Sequence, residues 1–327
     1  MIIYRVYSLL TKDLVQTYSL GLNLRECFIF STKTLVCNKV IDCIKCTKYG
    51  VCSIGAFLEP TITTSRGKLI PASRQYVIVP KGIIQHELVF DIIIIGKIKI
   101  SEELIVRTII EMGANGIIVS RDIVNFSVLR IRRINITQNR DELIYDHKMG
   151  YISSKLEYSL DPFNNLKIPH IDKSKDTLII LDFYTPTRIR DIHSIILNNT
   201  QIPSLKGIIM SISRRLFNLN RIGVLERPIP RKLAIELKDS LLKHAVLLKD
   251  KTRTLKVNIK WYSRIKKRWF SHRMFIGRVA YRVSADIWKS EAVNFLLLRL
   301  LEIGKFIGIG INASAGCGRY KLLYVTI

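Results

Sequence analysis

Acidic side chains are scarce in this chain: 26 Asp and Glu stand against 52 Lys and Arg, leaving a formal charge of +26 over 327 residues. That imbalance excludes a cationic partner and points to a polyanion, bound with an affinity that falls steeply as salt rises. Long apolar runs are missing too. The greasiest stretch, Ile92 to Ile95, is flanked by Asp91 and Lys97 and is far too short to span a bilayer. The first apolar stretch is broken by Arg5, Lys12 and Asp13, so a secretory signal is not expected. The chain reads as cytoplasmic, with no membrane partner. Disorder is excluded by what is plentiful: 48% of the residues are hydrophobic, and the mean hydropathy is +0.19.

The length suits two domains, each large enough to bury a core. One pattern occurs twice. Glu87 to Ile95, a helix over Glu102 to Glu111, a turn at Gly113 to Gly116 and a strand over Phe126 to Ile131 form the first copy. Met274 to Val283, a helix over Ala292 to Ile303, a glycine loop and a strand over Tyr320 to Ile327 form the second. Thr177 to Phe183 is a further strand, ended by Thr185-Pro186, and helices are expected over Ser204 to Leu219 and Arg231 to Leu248. The order predicts an α+β chain of two tandem ferredoxin-like (βαββαβ, RRM-like) domains, 1–170 and 171–327.

The loop over residues 308–318 carries Gly308, Gly310, Gly316 and Gly318, followed by Arg319. Glycines let backbone N–H groups approach an anion closely, and Arg319 adds a cation, so phosphate contact is expected there. A tight helix-to-strand connection that touches nothing is the plainer alternative. Upstream, the segment from Trp261 to Phe270 mixes aromatics with Arg264, Lys266, Lys267 and Arg268. Aromatic faces stack on unpaired bases while cations hold phosphates, so this segment is a candidate RNA contact. Arg214 and Arg215 on the expected helix are further candidates for phosphate.

Cysteine is confined largely to one cluster, Cys37-x5-Cys43-x2-Cys46-x5-Cys52. The spacing fits a four-thiolate structural zinc site; disulfides and free thiols are the alternatives.

Three blocks in order resemble the Cas6 family, the CRISPR-associated RNA-processing endoribonucleases of the RAMP superfamily, in a branch with an N-terminal cysteine cluster. They are the cysteine cluster; Leu181 to Arg188 leading to Ser213-Arg-Arg-Leu216; and the stretch from Trp261 to Tyr320. The resemblance implies two RAMP domains that bind CRISPR repeat RNA and cut the precursor without a catalytic metal. The 2′-hydroxyl attacks the adjacent phosphate, leaving a 2′,3′-cyclic phosphate and a 5′-hydroxyl. It also implies effector-complex subunits as partners. Many relatives place a catalytic histidine early, whereas here no histidine precedes His86. His272, among Trp269, Phe270 and Arg273, is the first candidate; His193, after Arg188 and Arg190, is the second; Tyr320 and Lys305 are others. The missing early histidine keeps open a second reading, a non-catalytic guide-RNA-binding RAMP subunit.

Overall fold

The computed structural model describes residues 1–14, 17–37, 42–97, 99–120, 122–135, 140–151, 163, 166–197, 200–225 and 229–327. Of the polar stretch expected to join the two domains, residues 152–162 and 164–165 lie outside the described residues.

The first half is built from β1 (Ile2–Leu10), α1 (Leu20–Val36), β2 (Tyr76–Ile84), β3 (Glu87–Ile94), α2 (Glu102–Asn115) and β4 (Phe126–Asn135). A hairpin of β5 (Arg140–Asp146) and β6 (Gly150–Tyr151) extends it. The sheet runs β6-β5-β4-β1-β3-β2, and its central four strands have the ferredoxin-like order. The all-apolar end of β3 now has a cause. Ile92 and Ile94 pack into the core under α1 and α2, while Ile93 and Ile95 enter a second core shared with the other half. A strand covered on both faces has no polar side to show.

The second half comprises β7 (Thr177–Thr187), α3 (Leu205–Arg221), α4 (Arg231–His244), β8 (Ala245–Leu247), β9 (Arg253–Ser263), β10 (Arg268–Val283), α5 (Glu291–Ile307) and β11 (Tyr320–Thr326). Its sheet runs β8-β10-β7-β11, with β9 also paired to β10. This is the same order, except that the strand beside β10 is split between β8 and β9. β7 passes through Thr185-Pro186 instead of stopping there. A register shift between Phe183 and Thr187 places Pro186 where no N–H is required, and its carbonyl accepts from Gly318. α4 ends at His244 and the chain turns extended at Ala245, earlier than the expected Leu248.

Both principal helices start on built caps. Ser101 Oγ accepts from the Leu104 amide at α2, and Ser204 Oγ accepts from Gly207 at α3. Asp191 in turn receives the Ser204 amide and hydroxyl, each at 2.7 Å. Among the described residues no helix is long and apolar enough to cross a membrane.

Candidate nucleic-acid interface and active site

The cap on α3 fixes a concave wall. Lys206, Met210 and Arg214 are four residues apart, so they line one face of α3, and the Arg190–His193 turn lies opposite. Between them is a cavity of about 500 Å³, lined also by Ser73, Ser211, Arg215, Asn218 and Gly310. Arg190, Lys206, Arg214 and Arg215 face a single carboxylate, Asp191, which is already committed to the helix start. Such a wall attracts phosphate.

His193 stands in this wall with its Nε2 2.9 Å from Lys206 Nζ. An ammonium can only donate, so Nε2 is the acceptor and the neutral ring carries its proton on Nδ1. On the other side of the Arg188–Arg190 strand end lies His272, half-buried on the inner face of β10 and tilted against Trp261 at 5.1 Å. Burial, then the cations of Arg188 and Arg190, hold its imidazole below the ordinary 6.5. The two histidines thus flank Arg190. Beyond them Arg188, Lys256 and Arg273 line a smaller cleft of about 210 Å³ beside Thr200 and Gln201. Ile189 borders both hollows, so they form one cationic track.

Several expected site residues are placed elsewhere. Tyr320 is a core residue: it is 2% exposed, packs edge-on against Phe183 and donates its hydroxyl to the Leu301 carbonyl. Burial pushes that hydroxyl well above its ordinary value, so it serves neither as acid nor as base. Arg264 lies in the turn after β9, not on a strand face. It donates to the Asn115 and Gly116 carbonyls and lies 4.9 Å from the Phe30 ring, closing the C-terminus of α2. The chain reverses over 264–267, with Lys267 at φ +48°. Trp261 therefore pairs with Phe270 and is buried, whereas Trp269 pairs with Tyr262 and is 49% exposed. Lys266 and Arg268 lean over Phe270, and Lys267 is exposed at the tip.

The glycine loop is largely interior. The amides of Gly308, Gly316, Gly318 and Arg319 donate to Gly304 O, Ala313 O, Pro186 O and Thr185 Oγ1, and that of Gly310 to Ser211 Oγ. Phosphate would find these five donors taken. The glycines answer a packing need. Gly316 has φ +77°, and a Cβ there would sit 2.6 Å from Ile78 O of β2. A Cβ on Gly318, at φ +70°, would collide with Ile309 O. The loop is a wedge: Ala315 and Cys317 pack with Leu22 of α1 and with Trp261 and Met274 of the hairpin. Arg319 donates to Tyr184 Oη and Phe306 O. Of the four glycines, Gly310 alone lines the cationic cavity, beside Ile311.

The four clustered cysteines are free thiols. Cys37 is held above the ordinary thiol value by burial and then by the nearby Cys52 and Cys46. Burial pushes Cys43 up to about 12, and it faces Lys33 and Glu59. Among the described residues no three ligating side chains are placed to hold a metal ion.

Sequence reasoning passed over Lys206, Arg273 and Lys256 as site residues, although Lys206 was legible as one helical repeat before Arg214. Two fused ferredoxin-like halves thus carry a cationic cavity that holds a histidine. Residues 181–320 match the family model for the CRISPR-associated endoribonuclease Cas6. Among solved structures, a Cas6 product complex from Thermus thermophilus matches with a TM-score of 0.54 at 12% identity, over 98% of this chain and 100% of that one. A Cas6-related protein from Pyrococcus furiosus matches at 0.41 and 11%, over 98% of each. No curated protein sequence matches the chain. Over residues 181–320 the chain is thus similar to the Cas6 endoribonucleases.

Proposed function

We propose that this chain binds CRISPR repeat RNA and cuts the precursor transcript as a metal-independent endoribonuclease. The observation that carries the reading is a cationic cavity holding His193 beside Arg190, with His272 near enough to Arg188 and Arg190 for their charge to act on it. Attack by a 2′-hydroxyl needs a base to take its proton, an acid for the leaving 5′-oxygen and cations for the phosphorane charge. A neutral His272 is suited to accept the proton. The Lys206 ammonium, held by His193 Nε2, is suited to give a proton to the leaving 5′-oxygen, and Arg188 and Arg190 stabilise the charge. The bond from phosphorus to the 5′-oxygen breaks as the 2′-oxygen closes on phosphorus, giving the cyclic phosphate. Arg214 and Arg215 hold flanking phosphates, the exposed hairpin tip with Lys266, Lys267, Arg268 and Trp269 receives unpaired bases, and Gly310 lets the strand pass close to the wall.

Incubation with end-labelled repeat RNA in EDTA tests this. A single cut ending in a cyclic phosphate, abolished in His193→Ala and His272→Ala, is expected; tight binding without cutting would favour a guide-RNA-binding subunit. We place the protein in the cytoplasm, handing its product to effector subunits. Among the described residues no three ligating side chains form a ready-made site, and Cys43 lies beside Lys33 and Glu59. A structural zinc there would require the clustered thiols to draw together, and metal content of protein purified without chelator measures it: one zinc per chain supports that role and none removes it.

A further inference from the structure

The inner end of the α3 cavity holds a charge without a counter-charge. Arg215 is 9% exposed. Its Nη2 donates to the Arg74 carbonyl at 3.3 Å, and its Nε has no hydrogen-bond partner. The nearest charge acting on it is another cation, Arg74; burial first and then Arg74 push its guanidinium down to about 10. A buried guanidinium without an anion is expensive to maintain, and proteins ordinarily supply a carboxylate. Here the other buried guanidinia have one: Arg133 pairs with Glu102, and Arg25 with Glu26. Two built seams follow Arg215 along α3. On the same face of α3, Asn218 Nδ2 lies 3.5 Å from Ser73 Oγ, and Arg221 donates to Thr63 O at 2.8 Å. This stretch of α3 is therefore stitched to the first half, and the cavity opens directly onto the stitch.

We propose that this inner end is a phosphate-binding site, in which Arg215 and Arg214, with the Ser73 hydroxyl and the Asn218 amide, take one tetrahedral phosphoryl group and thereby lock the two halves together. A guanidinium fork matches two phosphate oxygens; the Asn218 amide adds a donor from α3 itself, and the Ser73 hydroxyl completes the set from the opposite wall. The site rests on the RNA-binding reading only for the source of its phosphate, a backbone phosphodiester. Occupancy of the site stabilises the folded chain, because the ligand neutralises a charge that is otherwise buried alone.

Thermal unfolding of the full chain in inorganic phosphate, against chloride at matched ionic strength, is the first test. Phosphate raises the melting temperature saturably. Arg215→Met loses that increment while melting in chloride no lower than the wild type, since an apolar side chain of similar length replaces the unpaired charge. Lys267→Ala, at the hairpin tip, keeps the increment. Phosphate also stabilises proteins by exclusion from their surfaces, so equal increments in wild type and Arg215→Met would overturn the site. The second arm uses a 2′-deoxy oligonucleotide of the repeat sequence, which cannot be cut. Affinity about tenfold lower in Arg215→Met, with a salt slope reduced by about one, assigns the phosphate to the nucleic acid. Unchanged affinity with the increment intact in wild type assigns free phosphate. Neither arm measures cleavage, so a failed nuclease reading leaves this test standing.

Discussion

His272 and His193 differ in what the protein does to them. His272 lies on the inner face of β10 against Trp261, and burial with two neighbouring arginines keeps its ring neutral. His193 is exposed and tied to Lys206. Replacing His272 by Ala lowers the cleavage rate about 10²- to 10⁴-fold, as loss of a general base does, while repeat-RNA binding stays near wild type. The pH dependence has a definite sign. With the folded-state value below 6.5, the base is competent above that pH, and the acid limb of the rate profile lies below 6.5. The same depression means that the folded state binds fewer protons than the unfolded chain in that window. Stability from this group is therefore complete above pH 6.5 and declines as pH falls through the window. Tyr320 supplies the contrast. Tyr320→Phe loses one buried hydrogen bond, about 1 kcal/mol of stability by denaturant unfolding, and leaves the cleavage rate unchanged.

At the scale of elements, the glycine loop packs as a wedge, whereas the tip of the β9–β10 hairpin keeps its cations exposed. Gly316→Ala places a Cβ against Ile78 O at a left-handed backbone position. Unfolding stability falls by about 2 kcal/mol, and RNA affinity per folded molecule does not change. An affinity loss without a stability loss would restore the loop as the phosphate contact. Arg264→Ala likewise weakens the fold by about 1 kcal/mol through the α2 terminus, whereas Lys267→Ala lowers RNA affinity with no change in melting temperature. The later helices were legible because the apolar spacing of α3 and α5 is a local signal. The turn over 264–267 was not, because cations and aromatics continue across it without a glycine or proline. Nor was the burial of Tyr320, since a tyrosine before a strand reads the same at a site or in a core. The cationic track was half legible: Arg214 and His193 stood out alone, but their meeting with Lys206 and Arg190 depends on Asp191 capping α3 from a distant turn.

For the whole molecule, two ferredoxin-like halves share one continuous core along β3, and the wedge of the glycine loop keeps them in register. Seven cations (Arg188, Arg190, Lys206, Arg214, Arg215, Lys256 and Arg273) line two adjoining hollows of the second half, and the chain as a whole carries +26. RNA affinity therefore falls steeply and linearly in log salt, which titration of binding between low and physiological salt checks. The account's central claim concerns the chemistry beside those cations. The most direct measurement is end-group analysis of repeat RNA incubated in EDTA with wild-type protein and with the His193→Ala, His272→Ala double variant. The account predicts one cut leaving a 2′,3′-cyclic phosphate for the wild type, and bound but intact RNA for the double variant. The same cut at an undiminished rate in the double variant would contradict it.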